Sequence, residues 1–186
     1  MAIDWSGSAV VTARVDAAMF GTNMLYDRDR VGPGGTFDDA MHALGIGHVR
    51  YPGGSITEWY FDIDDPNAST VWAKDRNAWR EVMPLSEFLN WAGQAGVGVN
   101  LVVPTGSLMA DGPMGDRRPR DTAWWDVYNY ITDVLQGDYG RARIDTIEIG
   151  NEYWLGAELN HVEYSRIANV IADASQSAID DHRVRE

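Results

Sequence analysis

The sequence contains no cysteine and a single lysine, Lys74, among its 186 residues. Without thiols, disulfides, thiolate nucleophiles and cysteine metal sites are excluded, and the redox compartment leaves no trace. Four histidines, His42, His48, His161 and His182, show no ligand spacing of the HExxH kind, so no built-in metal site is expected. No apolar run approaches the ~20 residues of a membrane span, and the opening MAIDWSGSAVVTARV lacks the basic start and long apolar core of a signal peptide. A membrane partner is therefore not expected. The localisation is not determined, and export under a signal outside this segment stays open. Positive charge is scarce as well: 15 basic against 28 acidic residues give a formal net charge of −13. Such a surface repels nucleic-acid phosphates and anionic lipid, and no basic cluster along the chain offsets it, so no nucleic-acid partner is expected.

What is present is 45% hydrophobic and 11% aromatic residues, enough for a sizeable core in one domain spanning residues 1–186. Two kinds of segment alternate. AMFGTNML (18 to 25), HVRY (48 to 51), VGVNLVV (97 to 103) and IDTIEIG (144 to 150) are short, apolar and bounded by Gly, Pro or Asn, as strands buried on both faces are. Between them lie helical patterns. TFDDAMHALG opens with a Thr36 cap and puts Phe37, Met41 and Leu44 on one face. PLSEFLNWAGQAG repeats Leu85, Phe88, Leu89 and Ala92 behind Pro84. A third helix, about Trp124 to Leu135, has Thr122 as its cap; a fourth, about His161 to Ile179, has Asn160 and Glu163 in capping-box register.

Four strand-helix units in succession argue for a parallel sheet, either doubly wound or closed as a (β/α)8 TIM barrel. FGTN after the first strand is not the GxGxxG of a dinucleotide site, which weighs against the doubly wound form, and no cofactor is expected. A complete barrel needs eight units and ~250 residues. The expected fold is therefore α/β, the N-terminal half of a (β/α)8 barrel, with a fifth strand beginning near His182. Two stretches are too long to be plain connectors: Pro52 to Met83, with Glu58, Trp59, Tyr60 and Trp72, and Pro104 to Asp121. Both follow strands, and loops after strands form the active face of a barrel.

The polar side chains fall in a pattern on this map. Thr22 and Asn23 lie near the end of the first strand, Arg50 ends the second, Asn100 sits within the third, and Asn151 and Glu152 end the fourth. RYPGG, residues 50 to 54, together with EIGNEYW, residues 148 to 154, resembles the first half of clan A retaining glycoside hydrolases of the (β/α)8 type. The nearest likeness is to α-L-arabinofuranosidases and heparanase-like β-glucuronidases.

This resemblance implies a retaining O-glycosidase acting on a plant or algal polysaccharide or a uronic-acid glycan. It implies Glu152 as general acid/base, Asn151 as the hydrogen-bond partner of the sugar 2-hydroxyl, and Arg50 as the cation beneath the nucleophile, although Arg50 could also be a structural ion pair. Asn23 joins them as a substrate-binding candidate. Trp59 and Trp154 either stack on sugar faces or pack internally. The acid protonates the leaving oxygen and, once ionised, activates water, while a second carboxylate ~5 to 5.5 Å away attacks the anomeric carbon.

The resemblance puts that second carboxylate on the seventh strand, beyond residue 186, in a remainder of the barrel that is the expected partner of this segment. Glu148 is a poor substitute. Four residues before Glu152 on one strand, it lies over ~10 Å deeper at ~3.3 Å per residue, and a cation such as Arg50 or His48 is its expected partner. A half-barrel exposes strand edges and its apolar interior, so self-association of the isolated chain is expected, with little turnover. The alternative is a non-catalytic carbohydrate-binding protein or inactive homologue.

Overall fold

The structure, a computed structural model, describes residues 19–32, 36–54, 56–73 and 76–185. Four parallel strands form the main sheet: β1 (Gly21–Leu25), β2 (His48–Gly53), β5 (Gly98–Val103) and β6 (Arg143–Ile149), side by side in chain order. The expected strands are thus present within a residue or two, though Ala18 lies outside the described residues. The order never reverses, so the sheet has no topological switch point of the doubly wound kind. With right-handed crossovers, a sheet that grows in one direction carries its helices on one face.

The packing agrees. Met24, Val49, Tyr51, Leu101 and Ile147 point into one hydrophobic core with side chains from all the long helices, among them Met41, Phe88, Ile131 and Ile171. The alternate residues, Asn23, Arg50, Asn100 and Glu148, belong to the opposite face and stay outside that core. The expectation of strands buried on both faces is therefore corrected: one face is apolar and helix-covered, the other polar and only partly shielded.

Register aligns the polar face. Asn23 pairs with Arg50, and Arg50 with Asn100, so the three form one row across β1, β2 and β5. Arg50 is mid-strand, not terminal, because β2 continues to Gly53. In β6 an extra residue, Asp145, bulges between Ile144 and Thr146 and shifts the register, which sets Glu148 opposite Val102, two residues nearer the C-terminal ends.

Four longer helices cover the sheet: α1 (Phe37–Leu44), α3 (Leu85–Ala95), α4 (Ala123–Gln136) and α5 (His161–Arg185). The first three end at Gly45, Gly96 and Gly137 in the left-handed conformation; the glycines that close TFDDAMHALG and PLSEFLNWAGQAG suggest the first two. α3 starts behind Pro84 as expected, but the starts of α1 and α4 differ. Thr36 and Thr122 make no side-chain cap bond, and the Thr122 hydroxyl bonds the Asp126 carboxylate instead, at 2.8 Å. Leu44 is exposed rather than packed, Trp125 is exposed with one edge against Trp124 at 4.6 Å, and α5 continues as helix past His182, where a strand was expected.

The long connection after β2 has structure of its own: a one-turn helix, α2 (Ile56–Tyr60), and an antiparallel hairpin of β3 (Thr70–Ala73) and β4 (Ala78–Glu81). Cross-strand pairing sets Trp72 against Trp79, edge to face at 5.7 Å. The connection after β5 holds a 3-10 turn, Gly106–Leu108, and returns on itself at Met109 and Pro119.

Glu163 ties this second loop to α5. Its backbone N–H donates to Asn160 Oδ1 at 2.9 Å while its Oε2 accepts from Asn160 N at 3.0 Å, the expected capping box. Its other oxygen accepts from Gly115 N, Arg117 N and Arg117 Nε at 2.9–3.0 Å. The Arg117 hydrogen bond, helped by these backbone donors and opposed by burial, holds the Glu163 carboxyl down at about 2. A carboxyl held below its ordinary 4.5 adds stability that is full above that pH and is lost as the pH falls toward 2. An acid titration of the unfolding midpoint by circular dichroism should show a drop across this window, blunted in Glu163→Gln.

Candidate functional site

The candidate site lies on the polar face and at the C-terminal ends of the strands. Arg50 is its hub. The Arg50 guanidinium grips Glu148 through Nε at 2.7 Å and one terminal nitrogen at 2.5 Å, a two-pronged pair that matches fork to carboxylate. The same terminal nitrogen donates to Asn151 Oδ1 at 3.0 Å, and the other to Asn23 Oδ1 at 3.2 Å. Asn100 Nδ2 donates to Glu148 at 2.8 Å. The hydrogen bond from Arg50 holds the Glu148 carboxyl below its usual range, against the partial burial that would raise it. Residues from β1, β2, β5 and β6 thus close one network.

Three sequence candidates, Asn23, Arg50 and Asn151, come together here. Arg50 is the partner that Glu148 was expected to find. His48 lies against Asp145 instead, with Nδ1 and Oδ2 3.2 Å apart. Two polar atoms in the network are buried and, among the described residues, have no hydrogen-bond partner: Asn151 Nδ2 and Asn100 Oδ1. Because Arg50 can only donate, it selects the Asn151 carbonyl oxygen and turns the amide N–H₂ the other way.

Glu58 organises the rim, and the sequence marked it only as a member of a long loop. It is buried in α2, and both of its oxygens are engaged. Oε2 accepts from the Thr105 N–H at 2.8 Å, the Thr105 hydroxyl at 3.0 Å and the Gly106 N–H at 2.9 Å; Oε1 accepts from the Asn151 N–H at 2.8 Å. One carboxylate therefore joins the segments that follow β2, β5 and β6. The joint needs Gly150: it has φ +71°, and a Cβ there would stand 2.8 Å from Thr105 Cγ2 and 2.9 Å from Glu58 Oε1. The signal that could have found Glu58 is an acidic residue in a short helical turn, ITEWY, that is otherwise uncharged.

Glu152 follows directly. Its φ is +45°, unusual outside glycine, and its carbonyl accepts from Leu155 N at 2.7 Å and Gly156 N at 3.1 Å, so a tight turn presents the residue. Its side chain is exposed to solvent. Trp154 is 63% exposed and meets Tyr153 edge to face at 5.1 Å, while Tyr153 stacks on Tyr164 at 3.8 Å. Trp59, 44% exposed, meets Tyr60 edge to face. Both candidate tryptophans are thus anchored by a neighbouring ring with much of their surface open. Among the described residues, no group of three or more His, Asp or Glu side chains is arranged to hold a metal ion, and no helix is long and apolar enough to cross a membrane.

No protein-family model matches this sequence, and no curated protein matches it either. Glu58→Gln replaces one acceptor oxygen with a donor that faces N–H groups. We expect it to lower the unfolding free energy in urea by about 3 kcal/mol or more, since each stranded buried donor costs roughly 1–3 kcal/mol.

Proposed function

We propose that the chain forms the first half of a (β/α)8 retaining O-glycosidase, with Glu152 as general acid/base and a nucleophilic carboxylate supplied by the remainder of the barrel. The observation that carries this reading is Asn151. Its carbonyl oxygen is taken by Arg50, its backbone N–H by Glu58, and its buried Nδ2 is left as a donor without a partner among the described residues. A sugar hydroxyl is the kind of acceptor that would satisfy it, and the next residue in the chain is the exposed Glu152.

Further support comes from the sheet. Its monotonic strand order and one-sided helices suit a barrel whose interior is the polar face, and β1 and β6 are the outermost described strands, each paired on one side only. Arg50 uses four of its five N–H groups within the network. The fifth makes no hydrogen bond among the described residues, and it would suit a second carboxylate or a sugar oxygen arriving on that face. Glu152 would protonate the glycosidic oxygen as the anomeric bond breaks. Ionised, it would then take a proton from the water that releases the covalent intermediate.

Glu148 does not serve as the nucleophile, because Arg50 and Asn100 occupy its oxygens. That observation also favours a second reading, a carbohydrate-binding protein without turnover. The isolated chain should hydrolyse aryl glycosides no faster than background.

In the protein extended to a full barrel, Glu152→Ala should lower kcat/KM by about 10²–10⁴-fold for substrates with poor leaving groups. Azide should restore much of the loss for substrates with good ones. Unchanged turnover in that variant removes the acid/base assignment. Saccharide binding by calorimetry, with no hydrolysis by the full barrel, leaves the binding protein.

A further inference from the structure

On the side of the sheet opposite the polar face, α4 carries three aromatic residues that touch one another. Trp124 and Tyr128 stack face to face, with ring centres 5.2 Å apart and planes within 10° of parallel, and both pack partly against the core. Trp125 stands nearly at right angles to the pair, 4.6 Å from Trp124 and 5.8 Å from Tyr128, and is 60% exposed.

The neighbouring helix, α5, adds two carboxylates. Trp124 Nε1 donates to Asp173 Oδ2 at 2.6 Å, and the Tyr128 hydroxyl donates to Asp181 Oδ2 at 2.6 Å. These bonds clasp α4 to α5, and the clasp accounts for Trp124 and Tyr128. It accounts neither for an indole kept largely in water nor for two negative charges beside it. An indole and a phenol are neutral donors, so they fix the carboxylates in place without cancelling their charge. Among the described residues neither Asp173 nor Asp181 takes part in an ion pair. His182 and Arg183, next in the chain, lie on another flank of α5, along the groove beside Ile144 and Ile147 of β6.

An exposed indole with fixed carboxylates next to it suits a planar cation. A guanidinium lies flat on an aromatic face, with tryptophan the best of the three rings, and its fork of N–H groups donates to carboxylates. A metal ion fits less well, because among the described residues no three acidic or histidine side chains are gathered to hold one. The formal charge of −13 attracts basic partners and repels nucleic acid and anionic lipid.

We infer that the α4–α5 flank is a docking surface for a basic protein partner, which lays an arginine side chain on Trp125 with Asp173 and Asp181 beside it. The inference does not rest on the proposed function. Helices form the outer ring of a closed barrel, so this flank stays open whatever the polar face binds.

An NMR titration of the 186-residue chain tests it, read at the tryptophan indole N–H signals. The probe is the tripeptide arginine-glycine-arginine, blocked at both ends, beside counterparts in which citrulline or glutamate replaces arginine. We expect the arginine peptide to move the Trp124 and Trp125 signals and to bind about tenfold more tightly than the citrulline peptide, with an affinity that falls as salt rises. The glutamate peptide should not bind. Trp125→Ala should weaken the arginine peptide about two- to fivefold. Asp173→Asn with Asp181→Asn should weaken it about fivefold or more, and because asparagine keeps an acceptor oxygen for each ring donor, the thermal midpoint should change little. Trp79→Ala, an exposed tryptophan on the β3–β4 hairpin, should leave the affinity unchanged. Equal affinity for the citrulline peptide, full affinity in the Trp125 or the double aspartate variant, loss of binding in the Trp79 variant, or no binding of the arginine peptide overturns the inference.

Discussion

The buried carboxylate of Glu58 is the constraint on which the rim depends. Strands can be aligned by their ladders, but the segments leaving their C-terminal ends have no ladder, and each carries backbone N–H groups that need acceptors. Glu58 supplies one acceptor set for three of them, at Thr105, Gly106 and Asn151. Hydrogen bonds to a charged acceptor are shorter and stronger than neutral ones. They sit where Gly150 lets the backbone approach without a Cβ in the way. The position of Asn151, and through it the turn that presents Glu152, follows from this gathering.

Below the rim, Arg50 plays the same part with the opposite polarity. It is a pure donor in the middle of β2, and it draws acceptors from β1, from β6 and from beyond β6. A charged row on a sheet face is tolerable only when it is paired, because an unpaired buried charge costs far more than the pair contributes. Arg50 and Glu148 satisfy each other, and Asn23, Asn100 and Asn151 take much of what remains. Two buried amide atoms, Asn151 Nδ2 and Asn100 Oδ1, are left without a partner among the described residues.

Much of the architecture was legible because it is written in short-range patterns. Apolar runs of strand length, 3.6-residue periodicity in the helices, the glycines that close TFDDAMHALG and PLSEFLNWAGQAG and the Asn160–Glu163 capping box all express local physics, and all appear where expected. The errors were local too. Thr36 and Thr122 have the right chemistry for caps, yet their side chains make no cap bond, and Leu44 follows the helical period without reaching the core. Burial on both faces was inferred from apolar content, whereas strand alternation separates Val49 and Tyr51 from His48 and Arg50.

By itself, the sequence determined a cysteine-free, acidic α/β chain of four strand-helix units. It also determined that Asn151 and Glu152 follow the fourth strand, because periodicity and composition act over a few residues. Tertiary structure alone decided the long-range pairings. Arg50 meets Glu148 across 98 residues, Glu58 meets Asn151 across 93, and Tyr128 meets Asp181 across 53. Such contacts depend on strand order, on a bulge at Asp145 and on a glycine's clearance. None of these leaves a pattern in the linear chain, since the partners become neighbours only after the sheet has formed.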